Sequence, residues 1–184
     1  MILGRIAVIG ALAACLAPCA EAPSSGTSML FDFESEAALD RLNWHCGALY
    51  SLSPDHATHG ARSLKMEVFP SPYPGFDPLH GTEDWRGYDE LGFDVFNPAA
   101  RAIRIGLRID DKKKPPLYED RFNRSVELNP GANHVTIPLS SLVTSDGKRR
   151  LDLAHIRKFQ LFIPYPAQST TLYIDAVALA RNSR

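Results

Sequence analysis

The sequence predicts an all-β protein, a two-sheet antiparallel β-sandwich. Three observations carry this. From Met29 onward, roughly nine or ten short runs of β-type residues follow one another, separated by turn signals. The clearest runs alternate apolar and polar residues, so each buries one face only. Helix signals are few and short. Half-buried strands in this number pack as two layers around a shared core.

The runs come in this order. "MLFDFE" opens at 29–34, and "WHCGALYSLS" follows at 44–53. In "SLKMEVF", at 63–69, Leu64, Met66 and Val68 alternate with Lys65 and Glu67. "LGFDVFN" spans 91–97. "IRIGLRID", at 103–110, places Ile103, Ile105, Leu107 and Ile109 on one face, with Arg104 and Arg108 on the other. "RSVEL", "HVTIPL", "FQLFI" and "TLYIDAVAL" complete the series, with "NPG" at 129–131 as a turn. "SEAALDRLN", at 35–43, reads as a short helix capped by Ser35. "PLSSLV" and "DLAHIRKF" each hold about one helical turn. Residues 70–90 form a connection too long for a simple turn. It is rich in proline, glycine and aromatics, a composition expected of a functional loop rather than disorder.

The chain has 184 residues, enough for one domain with a real core. Net charge is −1, which leaves no electrostatic footprint for nucleic acid. The basic run "DKKKPP" reads as a solvated loop tip. Residues 1–14 read as an export signal: Arg5 precedes an apolar run from Ile6 to Ala14 that is too short to span a bilayer. "LAAC" resembles a bacterial lipobox, which makes Cys15 the expected lipidation site and a lipid anchor the only membrane contact. Ordinary cleavage near "AEA", at 20–22, is the alternative, although Pro23 then follows the cut. The expected product is a periplasmic or cell-surface lipoprotein, or else a secreted protein. Residues 15–28 read as a flexible tether and 29–181 as the binding domain. Cys46 is the single cysteine of that domain, so no internal disulfide is available to it. A monomer is expected.

Catalytic signatures are missing from the sequence. There is no nucleophile elbow, P-loop or dinucleotide fingerprint. His56 and His59 lie three apart on a turn-rich segment without a locatable third zinc ligand. A polysaccharide-active enzyme using Arg108, His80 and Tyr118 is a less favoured reading, because nothing in the sequence places the three together. Saccharide binding needs aromatic faces beside polar side chains. The candidates for it are Arg108, Asp110, Tyr118, Arg121, His80 and Trp85, with Arg104, Tyr73, Phe76 and Asp120 nearby in sequence. The competing reading makes Trp85 a staple between loop and sandwich edge, and makes Arg108, Asp110 and Arg121 an ion-pair ladder on a solvated face.

"FDFES", "HATHGARSLKMEV", "DWRGYDELGFDVFNP", "LNPGANHVTIPL", "DLAHIRKFQLFI" and "TLYIDAVAL" occur in that order. Together they resemble the galactose-binding-like jelly roll of bacterial carbohydrate-binding modules. They are also similar to the complex I intermediate-associated protein domain. The first resemblance implies a non-catalytic module that binds a poly- or oligosaccharide. The second implies a protein-interaction or assembly module, expected to carry a contiguous apolar patch. The resemblance to carbohydrate-binding modules further implies a structural Ca2+. Asp32 or Glu34 and Asp175 would be its carboxylate ligands, and the "THGARS" loop at 58–63 would supply carbonyls. The bland alternative for Asp175 is a strand bulge with backbone hydrogen bonds.

Overall fold

The computed structural model describes residues 26–44, 47–79 and 84–182. Its strands are β1 (Thr27–Phe31), β2 (Ala48–Ser53), β3 (Ser63–Val68), β4 (Gly75–Phe76), β5 (Glu90–Asn97), β6 (Ile103–Asp110), β7 (Phe122–Leu128), β8 (Gly131–Pro138), β9 (Lys158–Phe162) and β10 (Thr170–Ala180). They form two antiparallel sheets. The larger runs β2-β3-β10-β5-β8, with β1 also paired to β10; the smaller runs β4-β9-β6-β7. The expected two-sheet sandwich is therefore present. β1 starts at Thr27, inside the segment read as tether, and ends at Phe31 rather than Glu34.

Among the described residues, helical content is confined to short 3-10 turns. The segment after Ser35 is one of them, Glu36–Arg41, and the Ser35 side chain makes no cap hydrogen bond. Leu139–Ser141 and Leu153–His155 are the other two expected turns, and Asp152 caps the last by accepting from the Ala154 amide. A further turn, Tyr118–Asp120, follows the basic loop. No helix of the described residues is long and apolar enough to cross a membrane.

The core lies between the sheets and is richest in aromatics at the end formed by the long connection. Phe76 of β4 meets Phe31 edge-on at 5.3 Å and Phe159 at 5.9 Å. Trp85 packs at 6.4 Å from Phe159 and is 2% exposed. Its amide donates to the Leu153 carbonyl. Trp85 and Phe76 are thus core residues that tie the connection to the sandwich, which corrects their placement among ligand contacts. An indole buries more apolar area than almost any other side chain, so an aromatic loop beside an open core edge packs inward.

β10 changes partners along its length. It pairs with β3 from Thr170 to Ile174 and with β1 from Val177 to Ala180. Its register against β5 shifts between Asp175 and Ala178, and Ala176 has φ 50°. This is a bulge at the point where one neighbour ends and the other begins. Asp175 sits there.

Candidate functional site

Strand alternation decides what the smaller sheet shows to solvent. Ile103, Ile105, Leu107 and Ile109 enter the core, which leaves Gly106, Arg108 and Asp110 on the outer face of β6. Their cross-strand partners on β9 are Phe162, Gln160 and Lys158. Their partners on β7 include Ser125 and Asn123. Gly106 has a steric purpose. A Cβ there would come within 2.4 Å of the Phe162 ring, so the glycine lets that ring lie across the sheet. The outer face thereby acquires an aromatic floor.

Two loops raise this floor into a cleft of about 620 Å³, lined by Tyr73, Arg108, Tyr118, Arg121, Gln160 and Phe162 among others. One wall is the segment before β4. Tyr73 stands edge-on to Phe162 at 5.4 Å and meets Tyr165 at 4.9 Å. Both tyrosines have positive φ, 51° and 47°. A bulky residue in the left-handed region is strained, and such strain clusters at ligand sites. A hydrogen bond with Tyr165 is the main cause that holds the Tyr73 phenol above its ordinary pKa. The other wall is the turn that carries Tyr118, which is 63% exposed.

This second wall is braced from below. Arg149 donates to Asp111 through Nη1 at 2.6 Å and to Asp120 through Nε at 2.6 Å. Burial alone would raise the Asp111 pKa. The Arg149 hydrogen bond and the Asp152 amide outweigh burial and bring it below its ordinary value. The Ser145 amide and hydroxyl both donate to the Arg121 carbonyl. The loop is therefore pinned at Asp111, Asp120 and Arg121.

Within the cleft the charges are arranged unequally. The Arg108 guanidinium is bidentate on Asp110, with Nε 2.9 Å from Oδ1. Asp110 is 2% exposed, so the pair is not the solvated ladder expected from alternation. Lys158 Nζ lies 2.9 Å from both Asp77 carboxylate oxygens. The Arg121 guanidinium instead lies over the Tyr118 ring, 5.4 Å from its centroid.

Of the predicted saccharide contacts, Arg108, Tyr118 and Arg121 line the cleft, and Asp110 acts through Arg108. Trp85 is in the core. His80 lies outside the described residues, as does Cys15. The reading of the sequence missed Phe162, Gln160, Lys158, Asp77 and Tyr165. A signal for part of this set was present. "KFQLF" alternates, which puts Lys158, Gln160 and Phe162 on one face, and an isolated glycine inside the strictly alternating β6 marks a close approach.

The metal candidates are built differently from the expectation. Asp175 Oδ2 accepts from the Thr58 amide at 2.7 Å and the His59 amide at 2.9 Å, and Oδ1 accepts from the Ala176 amide at 2.7 Å. Glu34 accepts from the Ala61 amide at 3.0 Å and the Arg62 amide at 2.9 Å. Gly60 has φ 67°, and a Cβ there would lie 2.4 Å from the Glu34 carboxyl carbon. Asp32 accepts from the Glu34 amide at 3.3 Å. The 58–62 loop therefore offers N–H groups to Glu34 and Asp175, whereas Ca2+ needs oxygen lone pairs. Among the described residues, no group of three or more His, Cys, Asp or Glu side chains is placed to hold a metal ion. Asp32, Glu34 and Asp175 do not fit the calcium site that the resemblance implies. Glu34 and Asp175 fit a clamp that fastens the loop beside the bulge of β10.

The architecture is a two-sheet jelly-roll sandwich, a fold it shares with solved carbohydrate-binding modules. A family 11 carbohydrate-binding module from Clostridium thermocellum, solved with a β-1,3-1,4-mixed-linked tetrasaccharide, aligns with a TM-score of 0.64 at 16% identity, covering 86% of this chain and 97% of that one. A xylan-binding domain of family 22 aligns at 0.53 and 14% identity, covering 88% of this chain and 99% of that one. An exo-β-agarase aligns at 0.68 and 20% identity over 85% of this chain, which spans only 25% of the agarase chain. No protein-family model matches the sequence, and no curated protein matches it.

Proposed function

We propose that the protein is a non-catalytic carbohydrate-binding module whose ligand, a poly- or oligosaccharide, lies in the cleft of the smaller sheet. The observation that carries this reading is the Phe162 floor between the Tyr73–Tyr165 wall and Tyr118, with Gln160, Asn123 and Arg108 among the rings. Aromatic faces take the C–H surfaces of pyranose rings, and amides and guanidinium take the hydroxyls. Structural likeness to modules that bind carbohydrate supports it. The non-catalytic part rests on the cleft carboxylates. Asp77 and Asp110 are held by Lys158 and Arg108, whereas a glycosidase needs two carboxyl groups free to face the scissile bond.

The test is titration calorimetry of the purified protein with mixed-linked glucan, agaro- and xylo-oligosaccharides and charged saccharides. Binding to at least one is expected, with about a tenfold or greater loss in Tyr118→Ala and Tyr73→Ala. Silence across the panel, or binding indifferent to both substitutions, removes the cleft as the site.

We also propose that the protein is exported and held by a lipid on Cys15, a reading supported by "LAAC". Cys15→Ser is expected to move the protein from the membrane fraction to the soluble fraction. Unchanged fractionation counts against the anchor.

A further inference from the structure

We infer that the saccharide bound in this cleft is anionic, and that its carboxylate or sulfate group docks on Arg121. The inference rests on the cleft being a saccharide site and adds the charge of the ligand.

Three cations line the cleft: Arg108, Arg121 and Lys158. Two are neutralised where they stand, Arg108 by Asp110 and Lys158 by Asp77. Among the described residues Arg121 has no ion-pair partner. Its Nε is buried and has no hydrogen-bond acceptor. A buried donor without a partner is unfavourable, and more so when the group is charged. The Arg121 guanidinium therefore carries an uncompensated charge beside the cleft.

The geometry selects the kind of ligand. Tyr118 covers one face of the guanidinium, and the side chain lines the cleft. The two terminal nitrogens form a planar fork that matches two oxygens of a carboxylate or sulfate. A sugar hydroxyl could satisfy one N–H and would leave the charge uncompensated. The site also carries positive potential. Burial, and next the Arg108 cation, lower the Arg121 pKa despite the opposing Asp110. An anion relieves both effects. The backbone that carries the fork is held, because Ser145 fixes that of Arg121 and Arg149 fixes that of Asp120. A preorganised donor loses less entropy on binding.

Three probes of matched length decide the matter by calorimetry on the purified protein: a neutral mixed-linked gluco-oligosaccharide, an oligouronate and a sulfated galacto-oligosaccharide. The expected result is that at least one anionic probe binds about tenfold or more tightly than the neutral one. Its affinity falls between about 50 and about 200 mM salt. Arg121→Gln brings the anionic affinity down to that of the neutral probe and removes the salt dependence, and Arg121→Lys keeps part of the preference. Uronate over sulfate, or the reverse, identifies the ligand group. If the neutral probe binds as well as the charged ones, or if the preference survives Arg121→Gln, the charge inference is overturned while saccharide binding stands. If none of the three binds, both fall.

Discussion

Asp110 and Asp175 are 2% and 1% exposed, both lie on strands, and both are compensated, but by different means. Asp110 ends β6 in the small sheet and is held by a guanidinium from the same strand. Asp175 lies at the bulge of β10 in the large sheet and is held by amides of a loop more than a hundred residues earlier. The first arrangement cancels a charge inside the cleft of the smaller sheet, beside Arg121. The second leaves its charge in place and uses it to close a gap in a sheet. Burial of a carboxylate therefore says little about its role; the kind of donor facing it says more. Ion pairs tune a surface, and amide clamps hold a backbone.

The comparison is broken most severely at Asp175. Asp175→Ala empties a buried carboxylate site and leaves the Thr58, His59 and Ala176 amides without their acceptor, a loss of about 3–5 kcal/mol. That corresponds to about 6–20 °C in Tm for a domain of this size. Asp175→Asn keeps one acceptor oxygen and is expected to lose roughly half as much. Under the clamp reading, Tm is indifferent to EDTA and to added calcium. A rise of about 5–10 °C with calcium, abolished in Asp175→Asn, restores the metal, because a ligand at a hundredfold its Kd stabilises by about 2.7 kcal/mol.

Next in size is Arg149, which braces the cleft wall as Asp175 braces the loop. Arg149→Leu strands the buried Asp111 carboxylate, an expected loss of about 2–3 kcal/mol by chemical denaturation. The pH dependence has a definite sign. Asp111 is depressed in the folded protein, so its contribution is present above the ordinary aspartate value of 3.8 and is lost as pH falls through the folded value. Stability of the parent protein should therefore decline in acid more steeply than that of the variant. Parallel declines argue that other carboxylates dominate.

Asp110→Asn is expected to cost about 1–2 kcal/mol. It also frees the charge of Arg108 and so raises affinity for an anionic saccharide severalfold. A Tm unchanged within error makes Asp110 a solvated rather than a structural partner. The smallest stability effect belongs to Tyr118→Ala, within about 0.5 kcal/mol, because the ring is exposed. Its affinity loss then reports ligand contact without a folding component.

The architecture was legible because burial on one face imposes a period of two, and "SLKMEVF" and "IRIGLRID" display it openly. β4 escaped notice because two residues carry no period; Gly75–Phe76 is a strand by virtue of pairing with β9. The cleft was half legible. Arg108, Tyr118 and Arg121 stood out as polar or aromatic residues on exposed segments. Tyr165 lies beyond β9 and meets Tyr73 only through the fold. Trp85 misled because an aromatic in a loop looks the same in sequence whether it packs inward or outward.

The sequence alone determined the strand faces, the two-layer packing and the aromatic and cationic inventory of the outer surface, since these follow from local alternation and composition. Tertiary structure decided which cations were neutralised, which aromatic became the floor, and whether Asp175 faced carbonyls or amides. Those outcomes depend on distances between segments far apart in the chain. The strand pattern specifies which side of a sheet a residue occupies. It does not specify which residue of another segment stands opposite, nor whether a loop turns an N–H or a C=O toward it.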